Sequence, residues 1–332
     1  MKTLAYAGFV RRQQYAGEHQ ECAMKSRITT PFGFTSTADD VLRDVDLSGQ
    51  RAIVTGGSSG IGIDTARVLA KAGAEVTIAV RNLEAGNKVA TELNAAGGHQ
   101  RVQAKLLDLA DQTSVSAFVN AWNGPLHILV NNGGVMAIPE KTLTVEGWEM
   151  QLATNYIGHF ALTLGLHGAL AAAGHASGAR VVVVSSSGNL LAPVFFGDMN
   201  FNFLGYDPLL AYGQSKTACA LMAVEATRRW EADGIFVNAL NPGAIATNLQ
   251  KHTGGLKTPP ERRKNTAQGA ATSVLLAASP QLASIGGRYF EDCNEAPVVL
   301  ERPGDYRGVA TYAVDPVLAE RLWDDTLKMI TQ

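Results

Sequence analysis

Apolar residues along this chain recur with two periods, and from Asp46 onward those periods alternate. Ala52–Thr55, Glu75–Val80, Val102–Leu107 and Ile128–Val130 read as short strands. Between them Ile61–Ala72, Leu83–Ala96 and Ser114–Trp122 carry apolar residues at helical spacing, which predicts helices with one buried face. A long helix is expected over Trp148–Ala172. The next run, Arg180–Val184, is an unbroken β-branched stretch of the kind found in strands covered on both faces. A helix over Ala211–Ala232, a strand over Ile235–Leu240, a helix over Ala267–Ala278, a last core strand over Gly286–Phe290 and a helix over Asp315–Ile330 complete the pattern. Such alternation predicts an α/β fold: one domain over residues 46–332, a doubly wound parallel sheet with helices on both faces. Residues 1–45 show no clear periodicity and are expected to form a partly irregular N-terminal extension. Within it residues 1–24, which end at an internal Met24, should be dispensable for folding.

Composition narrows the function. Of 332 residues, 46% are hydrophobic and 17% charged, with a formal net charge of −2, which suits a compact core and gives no general attraction to nucleic acid or acidic lipid. Cys22, Cys219 and Cys293 are too scattered for a disulfide framework, and the histidines lack metal-ligand spacing, so a metal-free protein of the cytoplasm is expected. The apolar stretch Ala161–Ala173 is too short to span a bilayer and has His159 and His167 in and around it, so it reads as a buried helix with no membrane role.

Two motifs carry chemistry. Thr55-Gly-Gly-Ser-Ser-Gly-Ile-Gly62 lies between a strand and a helix. Gly56, Gly60 and Gly62 let the backbone turn and approach a pyrophosphate, while Ser58, Ser59 and Ile61 accompany them at the positive end of the helix that follows. The alternative is an ordinary glycine turn. Tyr212-Gly-Gln-Ser-Lys216 places a phenol and an ammonium four residues apart, on one helix face. A free phenol has a pKa of about 10, and a neighbouring ammonium favours the phenolate, bringing it towards a working range. A Tyr-x-x-x-Lys pair taken singly is more often surface decoration.

The combination resembles the short-chain dehydrogenase/reductase family over essentially all of residues 46–332, and hence a Rossmann-type sheet. Asn131-Asn-Gly-Gly134 is similar to the family's Asn-Asn-Ala-Gly, with Gly133 in place of alanine. Asn155 matches the asparagine of the long middle helix, and Ser186 the serine that ends the fifth strand, with Ser185 and Ser187 as rivals. Asn241-Pro-Gly243, continuing through Ile245 to Thr247, resembles the segment at the nicotinamide side. The resemblance implies that Ser186 holds the substrate oxygen and Tyr212 passes the proton. It implies that Lys216 tunes Tyr212 and holds the ribose, and that Asn155 positions a water leading to solvent. It also sets Asn132 and Gly133 against the cofactor, with Pro242, Gly243, Ile245 and Thr247. Asp108 would meet the adenine together with Leu109, although a helix cap is nearly as good a reading of Asp108.

Within the family, Phe196–Phe201, Tyr206–Tyr212 and Gly287–Asp292 resemble retinol-dehydrogenase-like members, without the hydrophobic N-terminal anchor of membrane-bound ones. The implied activity is hydride transfer between a nicotinamide and a carbonyl or alcohol, the partner being a small molecule. Homo-oligomers are common among such proteins. Phe195, Phe196 and Phe203 suggest a lipophilic pocket between the serine and the tyrosine. Arg81 ends the second strand where an acid would select NAD(H), so NADP(H) is the expected cofactor and NAD(H) the alternative. Two rival readings are a sugar-nucleotide epimerase or dehydratase, for which there is little C-terminal room, and a cofactor sensor, which typically loses the tyrosine or the lysine.

Overall fold

The computed structural model describes residues 27–331. The expected dispensability of residues 1–24 therefore lies outside them. Seven parallel strands form the centre of the sheet, and alternation along β5 (Ala179–Val184) shows how it is covered. Val181 and Val183 enter one apolar layer, and Val182 and Val184 the other. The order is β3 (Val102–Leu106), β2 (Glu75–Val80), β1 (Arg51–Thr55), β4 (Ile128–Asn131), β5, β6 (Ile235–Asn241), β7 (Tyr289–Glu291), with β8 (Asn294–Glu295) antiparallel at the edge. Chain order reverses between β1 and β4, which opens a crevice at the carboxyl ends of the strands.

One layer holds α1 (Ala38–Val41), α2 (Ile61–Lys71), α3 (Leu83–Gly97) and α8 (Thr266–Ala278). The other holds α4 (Gln112–Asn120), α5 (Met150–Gly165), α6 (His167–Ser177), α7 (Pro208–Trp230) and α9 (Pro316–Thr331). Thus α9 lies on α7 and α5, with Trp323 edge-on to Phe160 (4.7 Å between centroids) and to Trp230 (5.2 Å).

Two expectations need correction. The single helix over Trp148–Ala172 is two, α5 and α6, bent by 63° at Leu166, and residues Ala153–Ile157 of α5 form a π-helical turn. No single helix among the described residues is long and apolar enough to cross a membrane. Helix α7 begins three residues earlier than expected, because Asp207 caps it (2.8 Å to the N–H of both Leu209 and Leu210) and Pro208 fits its first turn. The described part of the N-terminal extension is docked on the sheet. Ile28 exchanges hydrogen bonds with Glu295, Thr30 N–H reaches Asn294 Oδ1 at 2.8 Å, and Ala38, Val41 and Leu42 are buried in the core.

Candidate active site

The crevice is a cavity of about 990 Å3. At one end β1 turns into α2 through the glycine loop. Gly56 and Gly60 have positive φ (66° and 56°), and Gly60 precedes α2 with no side chain capping its first N–H groups. Those groups are therefore available to an anion. Side chains would not fit here: a Cβ on Gly62 would stand 2.5 Å from the Gly56 carbonyl oxygen, and one on Gly56 2.8 Å from Gly133 Cα. Thr55 Oγ1 accepts the N–H groups of Asn132 (2.8 Å) and Gly133 (2.9 Å), tying the ends of β1 and β4 together across the switch point. Arg81 is exposed on the same cavity and makes no hydrogen bond or ion pair among the described residues.

At the middle of the cavity α7 presents Tyr212 and Lys216, both buried apart from the face they turn to it. The Lys216 ammonium donates to the Val184 carbonyl at 3.0 Å and lies 5.7 Å from the centre of the Tyr212 ring. Ser186 follows β5 and caps a short 3-10 turn, its Oγ accepting Gly188 N–H at 3.1 Å. A Cβ at Gly188 would stand 2.8 Å from the Tyr212 ring and 3.5 Å from Ser186 Oγ, so the absence of a side chain there lets hydroxyl and phenol share one corner. The rival Ser185 also borders the cavity, but its Oγ donates to the Lys216 carbonyl at 2.7 Å. Ser187 also lines the cavity.

Asn155 stands behind this corner in the π turn. Its amide donates to the Val135 carbonyl (2.9 Å) and Ser215 Oγ (2.9 Å), while its Oδ1 accepts Val135 N–H (2.8 Å). A Cβ on Gly134 would lie 3.1 Å from Asn155 Oδ1 and 3.7 Å from Lys216 Nζ, so glycine leaves a gap between the two.

Of the expected site residues, Gly56, Ser59, Gly60, Ile61, Arg81, Asn132, Gly133, Ser186, Tyr212, Lys216, Pro242, Gly243, Ile245 and Thr247 line one cavity. Ser58, Gly62, Asp108, Leu109 and Asn155 do not. Leu109 is a packing residue: its methyl fills the space beside Gly133 and its carbonyl that beside Gly158. Asp108 accepts Ala110 N–H at 2.9 Å, and the helix cap is Asp111, not Asp108.

The aromatic pocket is a second correction. Phe203 is 93% exposed, because Asp198 accepts the N–H groups of Asn202, Phe203 and Leu204 and turns that loop outward. Phe196 packs under Arg321 (4.2 Å), and Phe195 edge-on to Phe201 (5.6 Å). None of the three lines the cavity. Its far end is made instead by Met136, Leu209, the segment 248–262 after Thr247, and Gly304–Arg307. Asp292 joins these parts, pairing with buried Lys264 (2.6 Å) and with Arg307 (3.2 Å). No periodicity marks these residues; left-handed positions at Asp292, Cys293 and Tyr306 (φ 48°, 63° and 58°) record how tightly their turns are made.

A strand–glycine loop–helix unit opening on the same cavity as a serine, a tyrosine and a lysine defines a nicotinamide-dependent oxidoreductase of the Rossmann type. Residues 50–255 match the short chain dehydrogenase family model, and the chain belongs to that family. A probable oxidoreductase of Streptomyces antibioticus is 54% identical over 294 residues, 84% of this chain and 97% of the relative. Polyprenol dehydrogenase of Mus musculus is 38% identical over 293 residues (85% of this chain, 84% of the relative), in keeping with the resemblance to retinol-dehydrogenase-like members. Among solved structures, an NADP active-site complex of RhlG from Pseudomonas aeruginosa superposes with a TM-score of 0.56 at 27% identity, covering 72% of this chain and 90% of that one. The protein is thus a short-chain dehydrogenase/reductase, and neither the epimerase nor the sensor reading is favoured.

Proposed function

We infer that the protein transfers a hydride between NADP(H) and the carbonyl or alcohol carbon of a small molecule with an apolar body. The observation that carries this reading is the single cavity on which the open N-terminus of α2, Arg81, Ser186, Tyr212 and Lys216 all converge. When bound, the nicotinamide supplies or accepts the hydride. The residues do the rest. The free N–H groups after Gly60 take the pyrophosphate, and the unpaired Arg81 guanidinium takes a ribose 2′-phosphate through paired charge-assisted bonds. Ser186 Oγ donates to the substrate oxygen where charge develops. Tyr212 delivers or removes the proton there, with the Lys216 ammonium beside it favouring the phenolate. The gap left by Gly134 between Asn155 Oδ1 and Lys216 Nζ holds a water leading that proton to solvent. An apolar substrate body is supported by Met136, Leu209, Leu249 and Leu256 around the far end, and by what the name of the polyprenol relative says of its own substrate.

Two variants test the reading. Tyr212→Phe should lower turnover by about 10²–10⁴-fold, the usual worth of a positioned general acid–base, with NADPH affinity nearly unchanged. Activity close to wild type would sink the assignment. Arg81→Ala should raise the Kd for NADPH by roughly 10- to 100-fold, as for a lost charge-assisted hydrogen bond, and leave that for NADH nearly constant. Fluorescence titration with both cofactors reads this, and a wild-type preference for NADH would exclude it.

A further inference from the structure

His159 lies one turn beyond Asn155, is buried to 1% exposure, and touches neither the cavity nor any ion-pair partner among the described residues. Both ring nitrogens are nevertheless bonded, to the two halves of the site. Nε2 stands 2.8 Å from Thr55 Oγ1, and Nδ1 2.9 Å from the Asn155 carbonyl oxygen. Their protons can be placed by elimination. A carbonyl only accepts, so Nδ1 carries hydrogen. Thr55 Oγ1 already accepts two N–H groups, from Asn132 and Gly133, which occupies both lone pairs of a hydroxyl. Its own hydrogen can go to Nε2 at 2.8 Å or to the Val130 carbonyl at the poorer 3.3 Å. Every group is satisfied only when the ring is neutral, with hydrogen on Nδ1 and a lone pair on Nε2. Burial, opposed in part by the bond to Asn155 and reinforced by the Lys216 charge, lowers the histidine's pKa to about 4, in agreement with that state.

The two partners have different duties. Thr55 fixes Asn132 and Gly133 beneath the glycine loop, and its own carbonyl accepts Asn132 Nδ2 at 2.8 Å. The Asn155 carbonyl also accepts the Cys219 thiol (3.2 Å), while the Asn155 side chain holds Ser215, whose Oγ in turn bonds the Tyr212 carbonyl at 2.7 Å.

We propose that His159 is a positioning residue, a neutral Nδ1–H imidazole that ties the cofactor-binding strand end at Thr55 to the π turn carrying Asn155 and so sets α7's Tyr212 against the bound nicotinamide. The cofactor and catalytic halves of this proposal rest on the hydride-transfer reading; the tautomer does not.

Two near-isosteres separate the arms of the link. In His159→Asn the amide nitrogen replaces Nδ1 and keeps the Asn155 bond while releasing Thr55. NADPH Kd should rise about tenfold, the equivalent of about 1.4 kcal/mol, with kcat at saturating cofactor largely kept. In His159→Gln the amide oxygen replaces Nε2 and keeps Thr55 while releasing Asn155. There kcat should fall about tenfold and Kd stay close to wild type. Thermal melts accompany both. Equal losses of Kd and kcat in the two variants, in step with a lowered Tm, would make His159 ordinary packing and overturn the proposal. So would wild-type values in both. Histidine 15N spectroscopy of the cofactor-free chain near neutral pH gives a readout without turnover: Nδ1–H is expected, and Nε2–H would overturn the proposal. Failure of the wild-type chain to bind either nicotinamide cofactor is a different result: it removes the hydride-transfer reading and both functional halves with it, whereas the tautomer stands or falls on the 15N spectrum.

Discussion

The two ends of the cavity are built on opposite principles, and their glycines show it. At the cofactor end a Cβ on Gly56 or Gly62 would lie within 3 Å of backbone or of the Asn132 amide, and the start of the loop is tied by part-buried hydrogen bonds from Asn132 and Gly133 to Thr55. At the end that the proposed function gives to the substrate, Gly254 and Gly255 also have positive φ (69° and 97°), yet a Cβ on either would meet nothing within 4 Å. There the cover is a series of short turns. It is held by exposed arginines: Arg262 donates to the Asp305 carbonyl, and Arg263 to the carbonyls of Thr258 and Leu256. One end is shaped by close approach of backbone, the other by long side chains with freedom to let go. The first suits a cofactor of constant shape, the second a substrate that must enter and leave.

The largest break in this contrast should come from Gly62→Ala. The methyl must displace the Gly56 carbonyl or the Asn132 amide, so NADPH Kd is expected to rise by 30-fold or more, on the order of 2 kcal/mol. Isothermal titration measures it, and an unchanged Kd would show that the cofactor end gives way as easily as the cover. A smaller effect is expected from Arg262→Ala, which frees the cover from Asp305. Substrate KM should rise about three-fold, with kcat and NADPH Kd close to wild type, as for one exposed hydrogen bond of about 0.6 kcal/mol. Steady-state kinetics on any accepted carbonyl decides it, and a loss of cofactor affinity would mean that the two ends are coupled. The smallest effect belongs to Phe203→Ala. With its ring exposed, kcat/KM and stability should both stay within roughly 0.5 kcal/mol of wild type. A larger fall in kcat/KM for bulky apolar carbonyls would return this ring to the substrate site.

What the sequence makes legible follows the same division. The cofactor end and the catalytic corner are readable because their chemistry is local: the glycines and Ser186 sit at junctions of elements that apolar periodicity reveals, and Tyr212 and Lys216 in the first turns of a helix that it also reveals. The substrate end is not. Phe195, Phe196 and Phe203 are apolar by composition, but which way they face is decided by Asp198 and by contacts with Arg321 and Phe201. The π turn around Asn155 is a single widened turn inside a helix buried nearly all round, where no polar stripe exists to register the slip. The docking of residues 28–34 was hidden for a third reason. It runs through backbone groups and Asn294, Glu295 and Thr30, interactions that leave no period in a sequence.

That docked segment has a consequence for how the protein behaves in crowded solution. An open sheet ends in two rows of backbone donors and acceptors, and an unprotected row is a template for another chain. On the β8 side the row is partly taken: Glu295 N–H already donates to the Ile28 carbonyl. On the β3 side protection comes from the character of the strand itself, five residues long and carrying Gln103 and Lys105, with Arg101 just before it. One rim is partly fenced by the segment at Ile28 and the other by polarity, so salt, which screens charge and leaves hydrogen bonds intact, will bear on the colloidal behaviour of the second far more than on that of the first.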